Sequence, residues 1–256
     1  MNELNERTSG NSIFSFQRLI FRYRLAAKFL DQGRTLDIGC GAEGEIFKFI
    51  SQNNYVGIDY SLESIKKMSS KFTEANFLHQ KAPPLDFPNS YFDNILCLEM
   101  IEHLSEEKGR LLLDEIGRCL KKGGKLFLST PNAANRGKDF PEGHLKEYNV
   151  DEIVNLIENK GFTILKKTGL FLSIFKKRYK KNSFFLFRKS LYKSLEVKPQ
   201  ENTRKKNPFN NLKKYFHYSS LKTIKYILNK LAKFICFMGF IFPNKAEYQV
   251  YLAEKK

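Results

Sequence analysis

Thr35-Leu-Asp-Ile-Gly-Cys-Gly-Ala-Glu-Gly44 is a strand-like run carrying Asp37 that passes into a glycine-rich turn. Glu45-Ile-Phe-Lys-Phe-Ile50 follows with a helical look. Strand, glycine turn and helix, in that order, open a nucleotide-binding α/β unit. Gly39 and Gly41 permit a sharp bend and close approach to a ligand, because no Cβ stands in the way. Asn54-Tyr-Val-Gly-Ile58 reads as a second short strand and runs into Asp59. An acid at that position can accept hydrogen bonds from both hydroxyls of a ribose. No phosphate-binding lysine follows the turn, which excludes a P-loop.

Outward from this stretch the chain alternates helix and strand. Ile13 to Leu30 is an amphipathic helix, with Phe14, Phe16, Leu19, Ile20, Tyr23, Ala27 and Leu30 on its apolar side. It makes residues 1–32 an N-terminal element that packs beside the core or helps cover the site. Ser61 caps a helix running to about Phe72. Ala75 to Leu78 is a third strand, and the prolines of 81–93 make that segment a loop. Asp93 to Leu98 is apolar almost throughout, as a central parallel strand should be. Ser105 to Leu120 is a helix with Leu111, Leu112, Ile116 and Leu120 inward, ended by Gly123-Gly124. Lys125 to Thr130 is a fifth strand, and residues 131–148 form a polar loop. Val150 to Lys160 is a helix with Asn149 or Asp151 near its start. Gly161 to Leu165 begins a sixth strand, and Tyr248 to Leu252 is the one good candidate for a seventh.

The pattern D-x-G-C-G, followed by V-G-I-D, resembles the class I S-adenosylmethionine (SAM)-dependent methyltransferases, of the ubiquinone and menaquinone biosynthesis type (methyltransferase types 11 and 23). Further likenesses are Leu85-Asp-Phe87 with Phe92-Asp93, Glu99-Met-Ile-Glu-His-Leu104, and Lys121-Lys-Gly-Gly-Lys-Leu with Ser129-Thr-Pro-Asn132. The resemblance covers about 33–168 and 246–254. It implies a Rossmann-like, seven-stranded, mostly parallel sheet with helices on both faces, the last strand antiparallel between the fifth and sixth. It implies a methyltransferase domain of 33–168 plus 246–256 and a basic, largely helical insertion of 169–245 before the last strand. SAM is the implied cofactor. Asp37, Gly39 and Gly41 would surround its methionine end, and Asp59 would hold its ribose. Cys40, Tyr60, Gln80, Ala82, Leu98 and Glu99 complete the expected cofactor site. Gln80-Lys81 stands where relatives often place an acid against the adenine amine, so Gln80 or a backbone amide near Ala82 takes that contact. Glu99 touches the SAM amino group or faces water.

His103 follows the fourth strand, where open parallel sheets place their ligand crevice. It can take a proton near neutral pH or only pack the loop. His144, in Gly143-His-Leu-Lys-Glu-Tyr148, resembles a histidine that relatives place over the acceptor pocket; the alternative is a surface histidine beside a helix. These two are the candidate bases, and no metal site is assigned. Nucleic-acid signatures of the Asn-Pro-Pro-Tyr and Pro-Cys types are absent, which favours a small-molecule, sugar or lipid-linked acceptor and O-methylation. The alternatives are an RNA methyltransferase, a non-catalytic SAM-binding module and, more weakly, a dehydrogenase.

Charge divides the chain. Residues 1–165 carry 21 basic and 23 acidic side chains, whereas residues 166–256 carry 23 and 4. The excess is built to meet something anionic. Phe175 to Lys193 interleaves lysines and arginines with phenylalanines, and Pro199 to Pro208 is a polar linker. Leu221 to Phe242 is a basic amphipathic helix with Leu221, Ile224, Ile227, Leu228, Leu231 and Ile235 on one face. This region reads as a lid or acceptor-binding element, as a contact with an anionic membrane surface through 170–242, or as a nucleic-acid contact. Cys40, Cys97, Cys119 and Cys236 show no paired spacing and read as reduced. With a polar N-terminus and no apolar run of about 20 residues, the expected location is cytoplasmic, or peripheral at the inner face of the membrane.

Overall fold

Short apolar runs that read as strands pair side by side because their backbone groups, once buried, must find partners in the sheet. The computed structural model describes residues 13–136, 141–172 and 246–256, with the helical positions 226, 230, 231, 233–235, 237–239 and 241. The strands are β1 (Thr35–Ile38), β2 (Tyr55–Asp59), β3 (Asn76–His79), β4 (Phe92–Leu98), β5 (Leu120–Pro131), β6 (Phe162–Leu172) and β7 (Ala246–Lys255). They form one seven-stranded sheet in the order β3-β2-β1-β4-β5-β7-β6. The pairs from β3 to β5 are parallel. β7 runs antiparallel to both β5 and β6. The expected fold, with its last strand between the fifth and sixth, is the observed one.

All of β1 and nearly all of β4 is buried, which is why they read as continuous apolar runs rather than alternating ones. β3 buries only Phe77 and forms one edge. Helices α3 (Glu106–Cys119) and α5 (Val150–Asn159) cover one face through Leu112, Leu113, Ile116, Ile153 and Ile157. Helices α1 (Ile13–Ala27) and α2 (Leu62–Lys71) cover the other through Tyr23, Ala26, Ile65 and Met68. α4 (Ala133–Arg136) is a single turn after β5. Capping works as the side-chain chemistry demands. Ser61 and Ser105 accept from Ser64 N and Lys108 N. Asn149 and Glu152 form a reciprocal capping box on α5.

Three local expectations are corrected. The helix after the glycine turn is one 3-10 turn, Glu45–Lys48, because the segment must first pass a left-handed Gly44. α3 ends at Cys119, and Gly123-Gly124 lies inside β5 rather than capping the helix. There Leu120 pairs with Phe92 and Lys125 with Asn94, and the surplus residues bulge through Gly123 at φ +74°. Leu111 is 48% exposed; the inward positions of α3 are Gly109, Leu112, Leu113 and Ile116, and Leu111 falls off that stripe.

The chain forms two compact units, Met1–Ser173 with Ile235–Lys256, and Ile174–Phe234. In the second, the described positions Tyr226, Lys230, Leu231, Lys233 and Phe234 are helical and exposed. Of the apolar face expected over 221–242, only Leu231 and Ile235 are described; Leu231 is 44% exposed and Ile235 is buried. The Phe175 to Lys193 cluster and the linker lie outside the described residues.

Gly44 carries a stability prediction. Its φ is +65°, and an added Cβ would stand 2.2 Å from Phe72 Cε2. Gly44→Ala adds left-handed strain to that clash, so a loss of about 2 kcal/mol is expected in urea unfolding. An unchanged midpoint would mean that the turn relaxes freely.

Candidate active site

The sheet order reverses between β1 and β4, and the turns after these strands bound the crevice where such sheets hold ligands. Gly39 N and Cys40 N both donate to Ile58 O, at 2.8 and 3.1 Å, folding the glycine turn over the end of β2. Asp59 fixes it there. One carboxylate oxygen accepts from Gly41 N at 3.0 Å and the other from Ser61 N at 2.8 Å. Each oxygen keeps a lone-pair direction for a ligand hydroxyl. Gly41 has φ +61°, and an added Cβ would meet nothing within 4 Å, so the turn faces open space. A Cβ on Gly39 would meet Met100 Cγ at 3.2 Å.

Cys40 gives the turn its backbone N–H, and its thiol donates to Gly41 O at 3.8 Å. Its thiol is packed into the core against Gly57, and burial pushes its pKa up. Tyr60 is 51% exposed beside Asp59. Gln80 N donates to Asp59 O at 3.1 Å, and Gln80 Nε2 donates to Pro84 O at 3.1 Å. The side-chain amide therefore shapes the 80–84 loop. Ala82 and Leu98 are buried in the core on either side of the sheet.

Asp37 lies beneath the turn. It is 1% exposed, and Oδ2 accepts from the Tyr55 hydroxyl at 2.7 Å and the Tyr23 hydroxyl at 3.4 Å. Oδ1 is buried without a partner. Burial pushes its pKa to about 7; the two tyrosine bonds pull it down, and Asp59 adds to the rise. Glu99, at the end of β4, has φ +53°, a left-handed conformation costly for a non-glycine residue. Its carboxylate accepts from Ser129 Oγ at 2.9 Å and pairs with Arg22 Nη2 at 2.9 Å. Arg22 reaches in from α1, stacks over Tyr248 at 4.7 Å, and keeps Nε buried without a partner. Arg22 and the Tyr23 bond to Asp37 were not legible in the sequence, since α1 meets both acids only through tertiary packing.

The second cluster follows β4. His103 and His144 lie ring edge to ring face, with centroids 4.8 Å apart. His103 Nδ1 is 2.8 Å from Gly143 O, and His144 Nδ1 is 2.7 Å from Glu147 Oε1. A carbonyl and a carboxylate only accept, so both neutral rings carry their proton on Nδ1 and present Nε2 as the acceptor. Glu147 is fully buried. Glu102, also buried, accepts from Thr130 Oγ1 at 3.2 Å. Burial, with Glu99 nearby, pushes its carboxyl well above the ordinary range. Ligand atoms of Glu102, His103 and His144 lie within 4.8 Å of one another, close enough to hold a metal ion. Spacing could not have shown this trio, because His144 is far from Glu102 and His103 along the chain. A cavity of about 450 Å³, lined by Leu30, Thr35, Asn54 and Tyr55 among others, opens at the opposite ends of β1 and β2 and is separate.

Asp37 predicts a pH dependence. It keeps its proton to about pH 7 when folded and to about pH 4 when unfolded. Between these values the folded chain binds the extra proton, so stability falls as pH rises and levels off above. The fall is on the order of 4 kcal/mol. Asp37→Asn should flatten it, with the gap between wild type and variant narrowing or reversing from pH 4 to 7 in chemical unfolding. A constant gap would remove Asp37 from this role.

Comparison with known proteins places the chain in a family. The model of a methyltransferase domain matches residues 17–167, more than half of the chain. A Mycolicibacterium smegmatis protein named "Probable S-adenosylmethionine-dependent methyltransferase" is 28% identical over 142 residues, covering 53% of this chain and 54% of its own. A ubiquinone biosynthesis O-methyltransferase of Dechloromonas aromatica is 31% identical over 114 residues, covering 39% and 44%. The chain thus spans about half the length of the curated relatives it matches. The crystal structure of a SAM-dependent methyltransferase from Archaeoglobus fulgidus aligns over 98% of both chains, with TM-score 0.57 and 18% identity, a likeness of fold alone. With its residues 17–167 matched and its sheet in this order, the chain belongs to the methyltransferase domain family, class I and SAM-dependent.

Proposed function

We propose that this chain binds SAM across the turns after β1, β2 and β4 and methylates an oxygen of a small-molecule, sugar or lipid-linked acceptor. The open space over Gly41 and the remaining lone pairs of Asp59 fit a nucleoside. The Arg22–Glu99 pair offers one charge of each sign, which suits an amino-acid end. The acidic setting of Asp37, with an oxygen lacking a partner, suits a cationic ligand better than a phosphate. When bound, SAM supplies an electrophilic methyl group on a sulfonium with a good thioether leaving group.

The histidine pair carries the assignment of oxygen as the acceptor atom. A hydroxyl must lose its proton as it attacks, and Nε2 of His144 or His103 can take it. Glu147, holding Nδ1–H of His144, would fix the tautomer and stabilise the imidazolium. The remaining work is alignment of acceptor and methyl group and exclusion of water. The Glu102, His103 and His144 trio favours a second reading, in which a divalent cation held there supplies Lewis acidity toward the acceptor oxygen. Among the described residues no helix is long and apolar enough to cross a membrane. The basic residues after 166 add an anionic membrane surface, met through 170–242, to the proposed partners.

Asp59→Ala should weaken SAM binding severely by calorimetry, because it removes the ribose acceptor and frees the Gly41 turn. Unchanged affinity would sink the cofactor placement. His103→Gln and His144→Gln should cut turnover by about 100-fold or more while sparing SAM affinity; full turnover in both would remove the base role. Methyl-labelled SAM incubated with a cell extract, with and without chelator, tests the acceptor. Label is expected in the lipid or aqueous small-molecule fraction, and label in RNA would overturn this assignment. Loss of transfer with chelator would select the metal-assisted reading.

A further inference from the structure

α1 works on two faces. Arg22, Tyr23 and Ala26 point into the catalytic unit. Phe21, Arg24, Leu25 and Lys28 recur at helical spacing on the other side. They line a groove of about 320 Å³, completed by Phe29, by Lys166 of β6 and by Phe237. Arg24, Lys28 and Lys166 are exposed, and Lys166 Nζ sits 4.7 Å from the Phe29 ring centre. Phe237 is 51% exposed. Among the described residues that line the groove, none carries a carboxylate.

An apolar floor with three cations at its rim selects its occupant. A small soluble anion would have no use for the phenylalanines, and an apolar peptide would have none for three positive charges. An anionic headgroup over hydrocarbon answers both, with stems and rings in the interface and charges at the headgroups. We propose that this groove docks on the acidic phospholipids of a bilayer surface. The inference rests on the membrane part of the function proposed above but places the contact on the catalytic unit rather than on residues 174–234. Docking through α1 would bring the site near the bilayer, because the same helix holds Glu99 and Asp37.

The chain has no tryptophan, so Phe237→Trp places a single fluorophore in the groove of the full-length protein. Vesicles of phosphatidylcholine, alone or mixed with phosphatidylglycerol, are compared by co-sedimentation and by quenching with brominated phosphatidylcholine. The expected result is sedimentation with the anionic vesicles, a blue shift and quenching. Arg24→Glu with Lys28→Glu should weaken the partitioning about tenfold or more, with circular dichroism and melting unchanged. Sedimentation without quenching would overturn the groove and leave the basic segment as the membrane contact. No sedimentation would overturn both. Equal quenching on neutral vesicles would overturn the headgroup contact.

Discussion

The carboxylate of Asp59 accepts a backbone N–H from the turn after β1 and another from the turn after β2. A glycine-rich turn has little reason to hold one shape, because glycine loses more conformational freedom on folding than any other residue. One charged acceptor bound to two backbone donors supplies the missing restraint. The same group that would meet a ligand's hydroxyls therefore also shapes the surface the ligand lies on, and binding and local order cannot be separated at this residue.

A second constraint comes from α1. Asp37 is buried beneath the turn, where an ionised carboxylate is expensive unless donors reach it. Tyr55 supplies one donor from β2, and Tyr23 supplies the other from α1. One residue earlier, Arg22 pairs with Glu99 at the end of β4. The helix is thus tied to two acids on neighbouring strands, and it cannot move without uncovering both. This makes it part of the site's construction rather than a cover laid over a finished domain.

The histidines show how a loop gains chemistry from its anchors. His103 sits on the short turn after β4, and His144 on the loop that returns from β5 toward α5. Leu145 N and Lys146 N donate to Glu102 O, which pins the second loop against the first. Each ring is then oriented by an acceptor on its Nδ1, which makes Nε2 the basic nitrogen of each neutral imidazole. Two loops that share backbone bonds hold such a pair more rigidly than one loop could.

While the choice between Asn149 and Asp151 at the start of α5 fell to the structure, the sequence by itself determined the strand runs, the helix cap at Ser61, and the place of Asp59 after the second strand. These are local: apolar periodicity, a side-chain oxygen near a free N–H, or a glycine where φ must be positive. It also carried the family pattern, and with it the position of β7. It misjudged Gly123-Gly124, since a glycine pair ends a helix or bends a strand according to which neighbour is there to pair, and β4 is that neighbour. It misjudged Leu111, since a one-position error on a helix turns a side chain by about 100°. Only the tertiary structure decided that Arg22 meets Glu99, that Asp37 holds two tyrosines, and that Glu102, His103 and His144 converge. Those contacts join residues far apart in the chain. Their energies depend on burial and distance, which no reading of neighbouring residues contains.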